Sequence, residues 1–121
     1  MSIPKCILIV DDQADIRKAL HSLLNSNGFE VCGEAVNGQD AIEKAQALHP
    51  DLILLDLSMP VMNGLEAARE LTKLMPSVPL IMLTNNLGSL VEEEARKAGI
   101  RTVLSKQPYE ILRNTTRELL D

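Results

Sequence analysis

"ILIVDDQAD", Ile7 to Asp15, decides the fold: four aliphatic residues in a row run straight into two adjacent carboxylates, Asp11 and Asp12. An apolar run without alternation is the pattern of a strand covered on both faces. Behind it Ile16, Leu20, Leu23 and Leu24 recur at helical spacing until Asn27-Gly28 stops the helix. Strand and helix together make one βα unit.

The same alternation repeats four more times. "FEVCGEAV" from Phe29 is a second strand, followed by a helix marked by Ala41, Ile42, Ala45 and Leu48 and ended at His49-Pro50. "LILLD" ends a third strand at Asp56, and after the loop "LSMPVMNG" a helix carries Ala68, Leu71 and Met75. "PLIMLT" is the fourth strand. Its helix places Leu90, Val91, Ala95 and Ala98 on the apolar side, with Glu92–Arg96 and Glu93–Lys97 as i,i+4 pairs on the wet side. "RTVLSK" is the fifth strand, and Ile111, Leu112, Thr115 and Leu119 set the face of a last helix.

Five βα units imply a parallel sheet. The first, third and fourth strands are nearly all apolar, whereas the second and fifth carry Glu30, Glu34, Arg101 and Thr102, which makes those two the edges. With right-handed crossovers the order is 2-1-3-4-5. The expected fold is a doubly wound five-stranded parallel sheet in a flavodoxin-like three-layer α/β/α sandwich, one domain over residues 1–121.

Composition limits the function. The chain has 12 Lys and Arg against 17 Asp and Glu, a net charge of −5, and no basic stripe, which argues against direct nucleic-acid binding. No apolar window is long enough to span a membrane and "MSIPK" lacks the features of a signal peptide, so a cytoplasmic protein is expected. Aromatics make up 2% of the residues, so the core must be aliphatic. Cys6 and Cys32 fall in strand-like runs without zinc spacing and are expected as free, buried thiols. His21 and His49 each stand alone and suggest surface or helix-end residues.

Ligands of doubly wound sheets bind outside the carboxyl ends of the strands where the winding reverses, here between strands 1 and 3. Asp11, Asp12 and Asp56 meet there. Adjacent strands run about 4.8 Å apart, which places these carboxylates within roughly 5 to 8 Å of one another. At about 6 Å and an effective dielectric near 20, each like-charged pair costs on the order of 3 kcal/mol. They therefore need a cation, and an all-oxygen site with open positions suits Mg²⁺. Strands 4 and 5 end in the hydroxyl of Thr84 and the ammonium of Lys106. A carboxylate nucleophile, a divalent metal, a hydroxyl and a Lys point charge are the parts of a phosphoryl-transfer site. Singly, each has a plainer role: Asp12 as a helix N-cap, Asp56 and Thr84 as turn residues, Lys106 as a solvated charge.

In order and at these intervals, "ILIVDDQADIR", "PDLILLDLSMPVMNGLEAARE", "PLIMLT" and "VLSK" resemble the response-regulator receiver domain of two-component signalling, over essentially the whole chain. The resemblance implies a phosphorylation-dependent switch rather than a turnover enzyme. Asp56 would be the phosphoacceptor, served by a sensor histidine kinase or phosphotransfer protein. Asp12, Asp56 and the backbone carbonyl of Ser58 would hold Mg²⁺, with Asp11 in the same pocket acting largely through water. Thr84 and Lys106 would bond the phosphoryl oxygens, and the fourth helix, fifth strand and fifth helix would change packing. The sequence leans to the subfamily with a C-terminal helix-turn-helix DNA-binding output domain, and homodimerisation on activation is left open.

Three positions depart from the family pattern. Val103 stands where an aromatic residue is usual, Asn85 follows Thr84 where a small residue is usual, and Gln107 separates Lys106 from Pro108. A cis Lys106–Gln107 bond would cost about 2.5 to 4 kcal/mol, so a trans bond or a shifted turn is expected there. These departures keep open a phosphorylation-independent receiver-like module that binds protein. An aspartyl-nucleophile phosphatase would need an acid/base carboxylate two residues after Asp56, where Ser58 stands. A flavodoxin-like electron carrier would need a hydroxyl- and glycine-rich phosphate loop in place of "DDQAD".

Overall fold

The computed structural model describes residues 5–85, 88–107 and 109–120. Five strands alternate with five helices: β1 (Cys6–Val10), α1 (Ala14–Ser26), β2 (Glu30–Ala35), α2 (Gly38–Leu48), β3 (Leu52–Asp56), α3 (Gly64–Leu74), β4 (Leu80–Thr84), α4 (Ser89–Lys97), β5 (Thr102–Ser105) and α5 (Tyr109–Leu120). The strands pair in parallel in the order β2-β1-β3-β4-β5, as the polar residues of the second and fifth runs require.

Strand alternation divides the core in two. Leu8, Val10, Ile53, Leu55, Leu80 and Met82 face one side, where Ala41 and Ala45 of α2, Ala67, Ala68 and Leu71 of α3, and Ala95 of α4 close over them. Ile7, Ile9, Leu52, Leu54, Ile81 and Leu83 face the other, covered by Leu20 and Leu24 of α1 and Leu112 of α5. The alanines on the first side let helix backbones approach the sheet closely, and the fully buried core is aliphatic, with Phe29 and Tyr109 packed only at the margin of the second.

Four expectations need correction. Leu90 is 77% exposed, whereas Ala95 and Ala98 of the same expected face are buried. Ile111 is 51% exposed, whereas Leu112 is buried and Leu119 packs on the core as expected, with Thr116 buried beside them. Both segments carry apolar residues around more than one side, and periodicity alone does not select between them. Of the two ion pairs expected on α4, Glu93–Lys97 closes at 3.5 Å, but Glu92 and Arg96 form none among the described residues and instead line a cleft with Arg101 and Val103. Cys6 and Cys32 are joined in a disulfide, with Cα atoms 5.3 Å apart. The β1–β2 ladder slips between Ile7 and Leu8, so that Ile7 faces Val31 and Leu8 faces Gly33. Cys32 is left over at that bulge, beside Cys6. Nothing in the spacing of the two residues announces such a slip. Pro108, and with it the Gln107–Pro108 bond, lies outside the described residues.

Candidate phosphoryl-transfer site

Register builds the site. Val10 pairs with Leu55, so the next residues, Asp11 and Asp56, emerge side by side at the carboxyl ends of β1 and β3. Asp56 pairs with Leu83, and Thr84 pairs with Ser105, which puts Thr84 and then Lys106 in successive steps along the same rim. The site residues named from the sequence gather at this rim: Asp56, Ser58, Thr84 and Lys106 line one cleft of about 180 Å³ together with Gln13 and Asn85, and Asp11 and Asp12 cluster with Asp56.

Asp11, Asp12 and Asp56 each offer a carboxylate oxygen, and these atoms all lie within 4.8 Å of one another. That is tighter than strand spacing alone suggested. Asp11 and Asp56 are buried, whereas Asp12 is exposed. Lys106 Nζ stands 3.1 Å from Asp56 Oδ1 and 3.3 Å from Asp11 Oδ2. Burial, and then the charge of Asp11, push the Asp56 carboxyl above its ordinary range, against the opposing pull of Lys106. Burial alone would lower the Lys106 ammonium, but its bond to Asp56 and the charge of Asp11 outweigh that and leave it raised. One ammonium, paired with Asp11 and Asp56, against three carboxylates leaves net negative charge, and the all-oxygen donor set fits a hard divalent cation such as Mg²⁺.

Asp12 does not cap α1. Gln13 occupies the N-cap without a side-chain bond, and its backbone N–H donates to Asp11 Oδ1 at 2.9 Å. A real cap holds the other flank: Asn63 Oδ1 accepts from the Glu66 N–H at 2.9 Å, and Glu66 Oε1 from the Asn63 N–H at 3.2 Å. This box fixes the start of α3, where Gly64 passes so near β3 that a Cβ there would stand 2.3 Å from the Asp56 carbonyl oxygen. Between them the Met62 N–H donates to the Pro60 carbonyl at 2.7 Å around Val61, whose φ is 68°. The loop beyond Asp56 therefore contains a tight γ-turn.

A further group lies behind the site, with no signal in the sequence to mark it. Arg17 donates from Nη1 to the Asp11 carbonyl at 2.7 Å and from Nε to Glu34 Oε1 at 2.9 Å, and His21 Nδ1 lies 3.4 Å from Glu34 Oε2. Thus His21 does have a partner. Only the packing of α1 across β2 reveals these contacts.

No helix among the described residues is long and apolar enough to cross a membrane. Over 110 residues the chain is 38% identical to the chemotaxis protein CheY of Thermotoga maritima, covering 89% of this chain and 92% of that one. It is 43% identical over 101 residues to the transcriptional regulatory protein LnrK of Bacillus subtilis, covering 83% of this chain but 46% of LnrK. It thus spans under half of that longer relative. Among solved structures, Vibrio cholerae CheY4 superposes with a TM-score of 0.90 at 30% identity, over 98% of this chain and 100% of that one. A LuxR-family DNA-binding response regulator from Staphylococcus aureus gives 0.89 at 27% identity, over 97% and 99%. Residues 7–115 match the family model of the response regulator receiver domain, and with the strand-end residues in place the chain belongs to that family, whose members are switches of two-component signalling.

Proposed function

We propose that residues 1–121 act as a phosphorylation-dependent switch in the cytoplasm, with Asp56 as the phosphoacceptor. The observation that carries this reading is the placement of Asp56: a buried carboxylate between Asp11 and Lys106, open to a cleft that also holds Thr84. An Asp56 oxygen attacks the phosphorus of a phosphohistidine on a sensor kinase or phosphotransfer protein; a P–O bond forms as the P–N bond breaks. Lys106 offsets the charge of the arriving phosphoryl oxygens and the Thr84 hydroxyl donates to one of them. Asp11, Asp12, Asp56 and the Ser58 carbonyl would hold Mg²⁺, which supplies charge neutralisation and alignment of the phosphoryl group.

Movement of Thr84 at the end of β4 biases the neighbouring surface of α4, β5 and α5, which then acts on an output domain or a partner. A DNA-binding domain following this chain, or a second copy, is the proposed receiver of that signal. Incubation with acetyl phosphate and Mg²⁺ should add one phosphoryl group by mass, and Asp56→Asn should abolish it. No gain at saturating donor would refute the reading.

A second reading, a binding module indifferent to phosphate, draws on Val103, a stiff β-branched side chain packed on the core where the family usually has an aromatic ring. Beryllofluoride with Mg²⁺ separates the two. Under the switch reading amide resonances shift across α4, β5 and α5, and under the module reading they do not. Ser58 gives no acid/base carboxylate for a phosphatase, so p-nitrophenyl phosphate should not turn over.

A further inference from the structure

Asp12 is exposed and its carboxylate makes no hydrogen bond or ion pair among the described residues. Yet it has to point into the acidic cleft. Its direction is set by the backbone, and above all by the peptide unit joining it to Asp11. That unit is held between the neighbouring strand β2, Lys106 at the end of β5 and helix α1. The Asp11 N–H donates to the Ala35 carbonyl at 3.0 Å, tying the loop to β2. Both Asp11 carboxylate oxygens are held, by the Gln13 N–H at 2.9 Å and Lys106 Nζ at 3.3 Å. The Asp11 carbonyl, which belongs to the Asp11–Asp12 peptide itself, accepts from Arg17 Nη1 at 2.7 Å.

The guanidinium in turn is aimed. Its Nε donates to Glu34 Oε1 at 2.9 Å, and with its side chain 17% exposed Arg17 has little room to swing. Glu34 is kept in place by Lys44 of α2, which donates to its backbone carbonyl, and has His21 against its second carboxylate oxygen. Lys44 is also paired with Asp40 at 3.4 Å. A planar fork bridging a carboxylate on an edge strand and a carbonyl in a loop is a rigid strut that a flexible ammonium does not reproduce.

We infer that Arg17, aimed by Glu34, is a positioning residue that orients the Asp11–Asp12 peptide and so holds the Asp12 carboxylate on the cation side of the cleft. The inference rests on the proposed Mg²⁺ site, since that site is what a misdirected Asp12 would weaken. Arg17 touches neither metal nor phosphoryl group. Its loss should therefore be felt as cation affinity and loop order, out of proportion to any change in fold stability. Substitutions behind a metal site cost about 10- to 100-fold in affinity, and this strut acts through the main chain, so the lower end is expected.

The test measures Mg²⁺ dissociation constants by calorimetry for the full chain and for Arg17→Ala, Arg17→Lys, Glu34→Ala and Glu34→Gln. Amide hydrogen exchange at Asp12 and Gln13, and urea unfolding in EDTA, are followed alongside. Arg17→Ala should weaken Mg²⁺ about tenfold and speed exchange at both amides. Arg17→Lys should recover part of the loss. Glu34→Gln, which keeps an acceptor for Nε, should stay near the native protein, while Glu34→Ala should follow Arg17→Ala. A merely structural residue would lower the unfolding midpoint and leave Mg²⁺ affinity and local exchange as they were; that result overturns the inference. If the native chain binds no Mg²⁺, the cation reading fails by itself. The strut then stands or falls on whether Arg17→Ala loosens the Asp12 and Gln13 amides.

Discussion

Lys106 Nζ lies 3.1 Å from Asp56 Oδ1, and the same ammonium reaches Asp11 Oδ2 at 3.3 Å. It is the one cation within ion-pair distance of these two carboxylates among the described residues. Lys106→Ala therefore leaves two buried anions facing each other, and breaking a buried pair in this way costs about 3 kcal/mol. Urea unfolding at pH 7 in EDTA should show a loss of this order, partly restored by Mg²⁺. Since the folded-state pKa of Lys106 is raised, its contribution is complete below the ordinary value of 10.5 and fades as pH climbs through the higher folded value. Native and variant unfolding curves should converge in strong alkali.

Asp56 has the opposite linkage from the usual carboxylate. Its pKa is raised from 3.8, chiefly by burial, so ionising it costs folding free energy. The cost is absent below pH 3.8, grows as pH rises toward the folded value and is complete above it. Asp56→Asn should thus unfold a few degrees higher than the native protein at pH 7 without metal, and the difference should vanish in acid. Saturating Mg²⁺ should narrow the gap at pH 7, because it stabilises whichever chain binds it better. A variant less stable than the native protein at neutral pH would contradict this sign.

Much of this geometry could be read from residue order. The unbroken apolar runs before Asp11, Asp56 and Thr84 and the charges in the second and fifth runs carried the strand order. Strand order then placed every strand-end residue, because parallel register leaves little freedom at adjacent carboxyl ends. What escaped depended on contacts between elements. The Arg17–Glu34 pair needs α1 laid across β2, and the Cys6–Cys32 bond needs a one-residue slip in a ladder. Leu90 and Ile111 were misassigned for another reason: short amphipathic helices with apolar residues on two sides do not declare which side is covered. Leu90 lies on α4 and Ile111 on α5, the helices of the proposed output surface.

Gly64 is required by proximity. A Cβ there would meet the Asp56 carbonyl oxygen at 2.3 Å and Leu57 Cα at 3.0 Å, both main-chain atoms that no rotamer change can move aside. Gly64→Ala should cost about 2 kcal/mol or more and displace the end of β3. Phosphorylation of Asp56 by acetyl phosphate should slow with it. Gly88, where an added Cβ meets nothing within 4 Å, is the control: Gly88→Ala should cost about 0.5 kcal/mol, the difference between the two residues as an N-cap.

The disulfide predicts a redox-dependent stability. Cys6 and Cys32 are 26 residues apart in sequence, and closing a loop of that size restricts the unfolded chain by about 3.5 kcal/mol. Protein kept from reductant should resist alkylation by iodoacetamide when unfolded. Dithiothreitol should lower its unfolding free energy by that order, and the Cys6→Ser, Cys32→Ser double variant should behave as the reduced form does. Two alkylated thiols in the unreduced protein would show that the strands pair without the bond.

Val61 stores strain in the open. Its φ of 68° is a left-handed conformation that a β-branched residue resists, and at 82% exposure its side chain gains little from packing. The left-handed region costs an L-residue about 1–2 kcal/mol, while glycine adopts it freely and gives back about 0.5–1 kcal/mol through its more disordered unfolded state. Val61→Gly should consequently be more stable by about 0.5–1 kcal/mol in urea. Val61→Ala retains a Cβ and the same φ, so it should gain much less. Equal midpoints for Gly and Ala would mean that the γ-turn relaxes without penalty. A gain for Gly alone would place the strain at this one residue, five positions beyond the proposed phosphoacceptor Asp56.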